Sequence, residues 1–226
     1  MALRQFADGV WIDTDPVRIV GMHLSTTMTV LRLGGGELML HSPISMTPER
    51  RAAIEGLGTV AHLFAPNLFH HRWIGEWASA YPSARLHVPA GLPKKRPDLR
   101  AARVGVSEPE PAFSGVIDVE PVAGFRLDEL ALLYRPAHVL IVADLVHNVG
   151  RPSGAWTKFY TQSMGFYDQV ALSRLIRWTA FSNRGAARES VDRLLAWDFE
   201  RIIVGHGAPV LANAKDTLAS ALRWLR

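Results

Sequence analysis

The first part of the chain alternates apolar and polar positions in short runs, a pattern typical of strands joined by tight turns. Residues 26–33 alternate and are rich in β-branched side chains, and residues 37–40 form a second apolar run. Gly34-Gly35-Gly36 lies between them and predicts a hairpin turn. Residues 10–12 and 18–20 predict two short opening strands.

Further along, continuous apolar runs predict strands and a three-to-four residue spacing of apolar positions predicts helices. The predicted strands are 60–64, 86–88, 104, 116–119, 130–134, 138–142 and 201–204. One helix is predicted after Thr47, which stands as N-cap before Pro48, and another near Arg72. The later predicted helices are 168–178, 186–197 and 213–225. Two stretches lack periodicity: 91–100 predicts a Pro-rich loop, and 150–166 predicts an irregular lid over a site.

The order of these elements predicts the fold class. Hairpins, a β-α-β stretch, more hairpins and a helix-rich end with one late strand fit neither strict β/α alternation nor an all-β protein. Two mixed β-sheets flanked by helices fit best, which is an α/β fold with four αββα layers. The length of 226 residues predicts one domain spanning residues 1–226.

Composition restricts the chemistry open to this protein. Hydrophobic residues make up 48% and charged residues 20% of the chain, which is ordinary for a globular protein. Cysteine is absent, which excludes disulfides, thiolate metal sites and a cysteine nucleophile. Histidine nitrogen and carboxylate oxygen are then left to hold any transition metal. The N-terminus has no signal-peptide pattern, and no run approaches the ~18 apolar residues of a membrane span, so we expect a cytoplasmic protein without membrane association.

The charge balance allows a second class of function. The formal net charge is +4, and the basic residues are mostly scattered apart from Lys94-Lys95-Arg96. That cluster lies between two prolines without interleaved aromatic residues, which favours a solvated loop over a phosphate-binding patch. Nucleic-acid binding is therefore kept only as a third interpretation.

The strongest candidate site is formed by polar side chains at the ends of apolar strands. His70 and His71 lie where the predicted strand 60–64 gives way to a helix, a corner at which neighbouring side chains can converge. Asp144 ends a second apolar strand, and His206 follows a third between two glycines. Neutral imidazole is a common metal ligand, and a buried carboxylate needs a compensating cation. These residues therefore predict a metal site at the carboxyl ends of the strands.

The remaining histidines carry weaker signals. His62 and His87 lie within apolar strands, where a hydrogen-bonded structural histidine is the expected role. A turn position explains His41 about as well as a ligand role does. His147, three residues after Asp144, is left open.

Several stretches resemble the metallo-β-lactamase fold superfamily. Gly205-His206-Gly207-Ala208-Pro209, after an apolar strand, is similar to its last metal-binding segment, and residues 141–145 are similar to its bridging-aspartate strand. Residues 38–43 lie where that superfamily has an apolar strand ending in Asp-Thr-Gly. Within the superfamily, residues 65–71 resemble a domain of unknown function, DUF4336. The resemblance covers nearly the whole chain and implies an αββα sandwich.

The resemblance also implies an altered metal centre. The first motif of the superfamily is His-x-His-x-Asp-His, whereas here Asn67 is followed by His70-His71, which places His71 on the last His and His70 on the Asp. Residues 124–129, where another histidine ligand would lie, contain none. One site is then lost and a single metal remains, with Zn²⁺ as first candidate and Fe²⁺ or Mn²⁺ as alternatives. The implied ligands are His70, His71, Asp144 and His206.

A metal of this kind activates water and polarises a carbonyl or phosphoryl oxygen, so the resemblance implies a metal-dependent hydrolase. The small-molecule substrate, an ester, lactone, amide or phosphoester, is left unspecified, as is the oligomeric state. Asp144 and Asn67 are the candidate catalytic residues, although Asn67 either stabilises an oxyanion or caps a turn. Four protein ligands would fill a tetrahedral site. A non-catalytic protein with a structural metal or none is therefore the alternative.

Overall fold

Two β-sheets pack face to face in the structure, a computed structural model that describes residues 3–99, the backbone of 103–104, and residues 110–225. The first sheet contains, in spatial order, β1 (Arg4–Ala7), β2 (Val10–Ile19), β3 (Met22–Arg32), β4 (Glu37–His41), β5 (Thr59–Phe64), β6 (Arg85–Val88) and β7 (Arg103–Val104). The second contains β8 (Ile117–Pro121), β9 (Leu130–Tyr134), β10 (Val139–Ile141) and β11 (Arg201–Ile203), with β11 and β8 at its edges. Both sheets are mixed. β4 to β7 run parallel, as do β10 and β11, whereas the other neighbouring strands are antiparallel.

Helices cover the outer faces of both sheets. The helices of the described chain are α1 (Pro48–Glu55), α2 (Ile74–Ala80), α3 (Leu92–Lys95), α4 (Ala155–Ser163), α5 (Arg174–Thr179), α6 (Arg184–Ala196) and α7 (Ala214–Ala221). None of the helices in the described part of the chain is long and apolar enough to cross a membrane.

Three apolar cores separate the layers. The central core joins the facing sides of the two sheets, for example Met39 and Phe64 with Leu132 and Ile141. A second core lies between the first sheet and α1 and α2, and a third lies between the second sheet and α6 and α7. The predicted four-layer αββα fold is thus confirmed.

A buried ion-pair network fixes α1 to the first sheet. Thr47 caps the helix as predicted, since its hydroxyl accepts a hydrogen bond from the backbone N–H of Arg50. Arg50 reaches back to β2, where its Nε lies 2.7 Å from Asp13 Oδ2 and its Nη2 lies 2.8 Å from Asp15 Oδ1. Arg50 and Asp13 are both buried, so each charge depends on its partners.

The two opening strands predicted at 10–12 and 18–20 are one continuous strand, β2. Val20 and Gly21 both have positive φ and form the tight turn that pairs β2 with β3 over ten residue pairs. Pro16 does not interrupt the strand because β1 pairs with β2 only as far as Ile12. Beyond that point the outer side of β2 is a sheet edge among the described residues, where a proline is tolerated.

The stretch predicted as an irregular lid, 150–166, contains the helix α4. Its side-chain pattern is inverted: Thr157 and Thr161 are buried, whereas Trp156 and Phe159 are 50% and 60% exposed. Thr161 is satisfied there because its hydroxyl donates to the carbonyl of Thr157. Hydrophobic periodicity therefore missed this helix. The Pro-rich segment 91–100 likewise contains the short helix α3, and its last residue lies outside the described residues.

Candidate metal centre

The side chains of His70, Asp144 and His206 meet at one edge of the stacked sheets. They follow β5, β10 and β11 respectively, and all three are buried. His70 Nε2 lies 3.2 Å from His206 Nε2 and 3.5 Å from Asp144 Oδ2. His206 Nε2 lies 3.4 Å from Asp144 Oδ1. Three separate strand ends thus bring two imidazoles and one carboxylate to a common point.

These distances fit a tetrahedral metal site. With metal–nitrogen and metal–oxygen bonds of ~2.0–2.1 Å, neighbouring ligand atoms of a tetrahedron lie about 3.3–3.4 Å apart. The observed separations of 3.2, 3.4 and 3.5 Å deviate from this by about 0.2 Å or less. The donor set of two nitrogens and one carboxylate also suits Zn²⁺, Fe²⁺ or Mn²⁺.

Hydrogen bonds to the opposite ring nitrogens orient both imidazoles. His206 Nδ1 lies 2.8 Å from the carbonyl oxygen of Ser25, which can only accept, so Nδ1 carries the proton. His70 Nδ1 lies 2.8 Å from Ser42 Oγ. Both Nε2 atoms therefore face the cluster, as in metal-ligating histidines whose second nitrogen is held by a hydrogen bond.

Two glycines allow the chain to approach this closely. A Cβ on Gly205 would lie 2.6 Å from the carbonyl oxygen of Ala143 and 2.8 Å from His70 Cε1. Gly207 has φ of +99°, and a Cβ there would lie 1.9 Å from the carbonyl oxygen of Asn148. The glycines beside His206 are therefore required by backbone packing at the cluster.

Asn67 links the chain turn after β5 to Asp144. Its Oδ1 accepts hydrogen bonds from the backbone N–H groups of Phe69 and His70, which makes it a turn cap. Its Nδ2 donates to Asp144 Oδ2 at 2.8 Å and to Glu129 Oε2 at 3.2 Å. Both hydrogens of the amide are thus directed at carboxylates. This geometry favours a positioning role for Asn67 over donation to a substrate oxyanion.

Glu129 is a site residue that the sequence analysis missed. It is 1% exposed, and its Oε1 accepts from the backbone N–H groups of Ala143 and Leu145 while Oε2 accepts from that of Asp144. Burial, reinforced by the charge of Asp144, raises the pKa of Glu129 to about 7. The only local signal was a charged residue directly before the apolar strand β9. Its donors come from a segment 14 to 16 residues further along the chain.

The charges of the cluster are mutually dependent. Burial alone would raise the pKa of Asp144, but the charge of His70 and hydrogen bonds with His206 and His70 hold it well below its usual range. Burial alone would lower the pKa of His206, but its hydrogen bond with Asp144 and the charge of that carboxylate raise it. The buried carboxylate thus favours a proton on His206, and a metal cation would take the place of that proton. Metal binding would release that proton.

His71 lies outside this group of three. Its Nδ1 lies 3.2 Å from Arg96 Nη1, and its carbonyl oxygen accepts from the same guanidinium nitrogen. Burial and the positive charges of Lys95 and Arg96 lower the pKa of His71. The backbone turns between Phe69 and His71, so the two adjacent imidazoles have different surroundings. The structure therefore brings together three of the four predicted ligand residues, His70, Asp144 and His206.

Two further histidines lie near the cluster. The His147 ring is 5.5 Å from that of His206, and its Nδ1 has no hydrogen-bond partner among the described residues. Burial lowers the pKa of His147 to about 4. His41 stacks on Phe64, and burial together with the charge of His70 lowers its pKa to about 3. Both imidazoles are neutral at pH 7.

A cavity of about 490 Å³ opens onto the cluster. Its polar floor includes His70, Asp144, His147 and His206. Its apolar lining residues include Val17, Ile19, Val20, Met22, Leu24, Phe69, Trp73, Leu127, Val149, Tyr160, Phe166, Leu175 and Ile176. The size is that of a small-molecule site, with few polar groups in a largely apolar wall. Helix α4 contributes Tyr160 to this wall.

The basic cluster at residues 94–96 is partly engaged within the protein. Lys95 Nζ donates to the carbonyl oxygen of Leu68 and lies over the Phe69 ring. Arg96 pairs with Asp98 at 2.6 Å. These contacts use the two side chains to hold the segment after β5.

Comparison with known proteins identifies the fold. No family model matches the chain, and no curated protein matches it. The DIM-1 metallo-β-lactamase exposed to ceftazidime matches with 13% identity over 100% of this chain and 99% of that one, at a TM-score of 0.66. A metallo-β-lactamase from Erythrobacter litoralis matches with 12% identity over 98% and 96%, at 0.67. One from Pontibacter korlensis matches with 11% identity over 99% and 97%, at 0.65.

The chain therefore has the metallo-β-lactamase fold, as the resemblance in its sequence implied. Identities this low establish architecture and leave activity to be argued from the site. The narrower resemblance to DUF4336 stays a prediction.

Proposed function

We propose that this protein is a mononuclear metal-dependent hydrolase whose metal is held by His70, Asp144 and His206. The observation that carries the proposal is the convergence of these ligand atoms, at near-tetrahedral separations, on the floor of a small-molecule cavity. Zn²⁺ is the first candidate, and Fe²⁺ or Mn²⁺ fits the same donors.

The reduction from four ligands to three favours catalysis over a structural role. Structural zinc sites use four protein ligands, whereas catalytic sites use three and leave one position for water or substrate. A divalent metal bound here would lower the pKa of a bound water towards ~7 and polarise a carbonyl or phosphoryl oxygen. His71 lies outside the cluster, which supports a site with one position open to water or substrate.

The chain's own residues prepare the site. Ser25 and Ser42 fix the two imidazole rings. Asn67 and Glu129 hold Asp144 through its side chain and its backbone. These contacts keep the donor atoms in place before substrate arrives, which is the condition for fast chemistry at a fixed centre.

His147 is suited to a polar contact with the substrate or with water. It lines the cavity, and burial keeps it neutral at pH 7.

The cavity wall favours a substrate with an apolar part. Val20, Phe69 and Leu175 are 63%, 60% and 42% exposed and also line the cavity, so its apolar surface extends outward to solvent. Arg18 and Arg72 also line the cavity, so a negative charge on the substrate can be paired there, and the apolar part of the wall sets the preference. We therefore favour carboxylic esters, lactones or amides with apolar acyl or aryl groups.

The test is a metal-reconstitution assay with substrates of increasing acyl length. Chelator-treated protein is loaded with Zn²⁺, Fe²⁺ or Mn²⁺ in turn and assayed on p-nitrophenyl esters, acyl lactones and anilides. We expect kcat/KM to rise with acyl length, because each buried methylene contributes about 0.8 kcal/mol. Asp144→Asn and His206→Ala should abolish both metal retention and turnover. His71→Ala is the matched control and should retain both.

Other outcomes would point to the alternatives. Stoichiometric metal without turnover on any substrate class would support a non-catalytic protein with a structural metal. Less than about a tenth of an equivalent of bound metal per chain would contradict the proposed metal centre, because such donors are expected to bind tightly. Salt-dependent binding to DNA or RNA with a steep slope would instead favour the nucleic-acid interpretation.

A further inference from the structure

We propose a second metal site between the two sheets, formed by His62, His87 and Glu110. It is independent of the hydrolase proposal. His62 lies in β5 and His87 in the neighbouring strand β6, and Phe64 pairs with His87 in the strand register. Side chains alternate along a strand, so His62, Phe64 and His87 share the face that packs into the central core. Glu110 approaches from the segment that leads towards β8.

The donor atoms are close enough to share one ion. One nitrogen or carboxylate oxygen from each residue lies within 4.8 Å of the other two. His62 Nδ1 lies 3.0 Å from His87 Nε2, and the three residues are 2%, 4% and 7% exposed. Ligand atoms on a tetrahedral Zn²⁺ lie about 3.3–3.4 Å apart, so the two imidazoles would need to separate by only a few tenths of an ångström.

The surroundings of His62 support a ligand role for its Nδ1. The other ring nitrogen, Nε2, lies 3.6 Å from Glu37 Oε2 at the start of β4. A carboxylate beside the outer nitrogen of a ligating histidine favours the tautomer with its proton on that side and leaves the inner nitrogen free to bind. Glu37 thus supplies the carboxylate that would orient His62 as a metal ligand.

Glu110 can join a metal without losing its ion pair. Its Oε1 pairs with Arg85 Nη1 on β6. An ionised carboxylate has two oxygens and about four lone-pair positions, so it can bind a cation and an arginine together. Arg85 also holds Glu110 beside the two histidines.

Aromatic packing indicates a structural site. The Phe113 ring lies 5.0 Å from that of His87 and 5.4 Å from that of His62. None of the three proposed ligands lines the cavity at the first centre. A metal here would connect two strands of the first sheet to the segment leading into the second, and so stabilise the contact between the sheets.

Metal stoichiometry tests this site directly. Zn²⁺ titration of the chelator-treated wild-type chain, followed by dialysis and elemental analysis, should give two equivalents. Glu110→Gln keeps the size of the side chain and should lower the content to one equivalent. Glu120→Gln, which alters a carboxylate paired with Arg193, is the matched control and should leave two. The double variant His70→Ala/His206→Ala should retain one equivalent, and adding Glu110→Gln should remove it.

Two further readouts separate this site from the first. Zn²⁺ should still raise the melting temperature of the His70→Ala/His206→Ala variant, and that rise should disappear with Glu110→Gln. Wild-type protein, Glu110→Gln and Glu120→Gln that bind equal amounts of metal would overturn the proposal. So would a folded His70→Ala/His206→Ala variant that binds none. Loss of hydrolysis alone would concern only the first centre and would not contradict the site formed by His62, His87 and Glu110.

Discussion

Replacing Glu129 by glutamine tests how the candidate centre is held together. The two carboxylate oxygens of Glu129 accept four hydrogen bonds, two each. The donors are three consecutive backbone N–H groups, Ala143 to Leu145, and the side-chain amide of Asn67. Glutamine has nearly the same shape but turns one of the two oxygens into an NH₂ donor.

The magnitude follows from counting donors. Whichever way the introduced side-chain amide is turned, two of the four donors face another donor and lose their acceptor. A buried unsatisfied donor costs about 1–3 kcal/mol, so the two lost hydrogen bonds should lower the free energy of unfolding by about 2–6 kcal/mol. Glutamine also removes the buried charge whose cost raises the pKa of Glu129, and this offsets part of that loss above pH 7. Metal affinity should also fall by about 10–100-fold, as expected for partners that orient a ligand.

Urea unfolding followed by tryptophan fluorescence measures the first effect. It is done with a chelator present, so that metal binding does not contribute, and above the raised pKa of Glu129, about 7. Glu189→Gln on the exposed side of α6 is the control and should change stability by less than about 0.5 kcal/mol. Equal unfolding midpoints and equal metal content for the two variants would refute the reasoning.

Two further predictions concern buried ionisable groups. The pKa of His41 is about 3 in the fold, against an ordinary 6.5. As the pH falls from 6.5 towards 3, His41 gains a proton only in the unfolded chain. The free energy of unfolding of the wild type should therefore fall by up to about 1.4 kcal/mol per pH unit. His41→Leu should remove this dependence of the unfolding free energy on pH, measured by urea unfolding, whereas exposed His23→Leu should keep it. Parallel plots of unfolding free energy against pH for the two variants would contradict this. Arg50→Met should destabilise the fold by about 3–5 kcal/mol by leaving buried carboxylates unpaired, with exposed Arg51→Met as the near-neutral control. Against the effect of burial, hydrogen bonds from Ser45 and Arg50 hold the pKa of Asp15 below its usual value, so this loss should shrink as acid protonates Asp15. A loss that stays undiminished in acid would count against the network.

The fold was largely predictable because strands and caps leave local signals. The strand at 130–134 has the predicted bounds, and Thr47 caps α1 as its sequence indicated. The errors occurred where local patterns mislead. Helix α4 buries threonines and exposes aromatic rings, which is the reverse of the periodicity that predicts helices.

Some features of the candidate site could likewise be predicted from local sequence, and others could not. The sequence by itself placed His70, Asp144 and His206 at the ends of apolar strands, because apolar runs and flanking glycines are readable within a few residues. The sequence did not show that the side chains of His70 and His71 have different partners. These partners are Ser42, 28 residues before His70, and Arg96, 25 residues after His71.

Only the tertiary structure decided which of the candidate side chains lie together, the contacts of Glu129 and the meeting of His62, His87 and Glu110. Each depends on hydrogen bonds or ion pairs between segments distant in sequence, and the direction of a side chain at a turn is set by its partners in space. Residue type and spacing along the chain fix which elements form, while packing between layers fixes which polar atoms face one another.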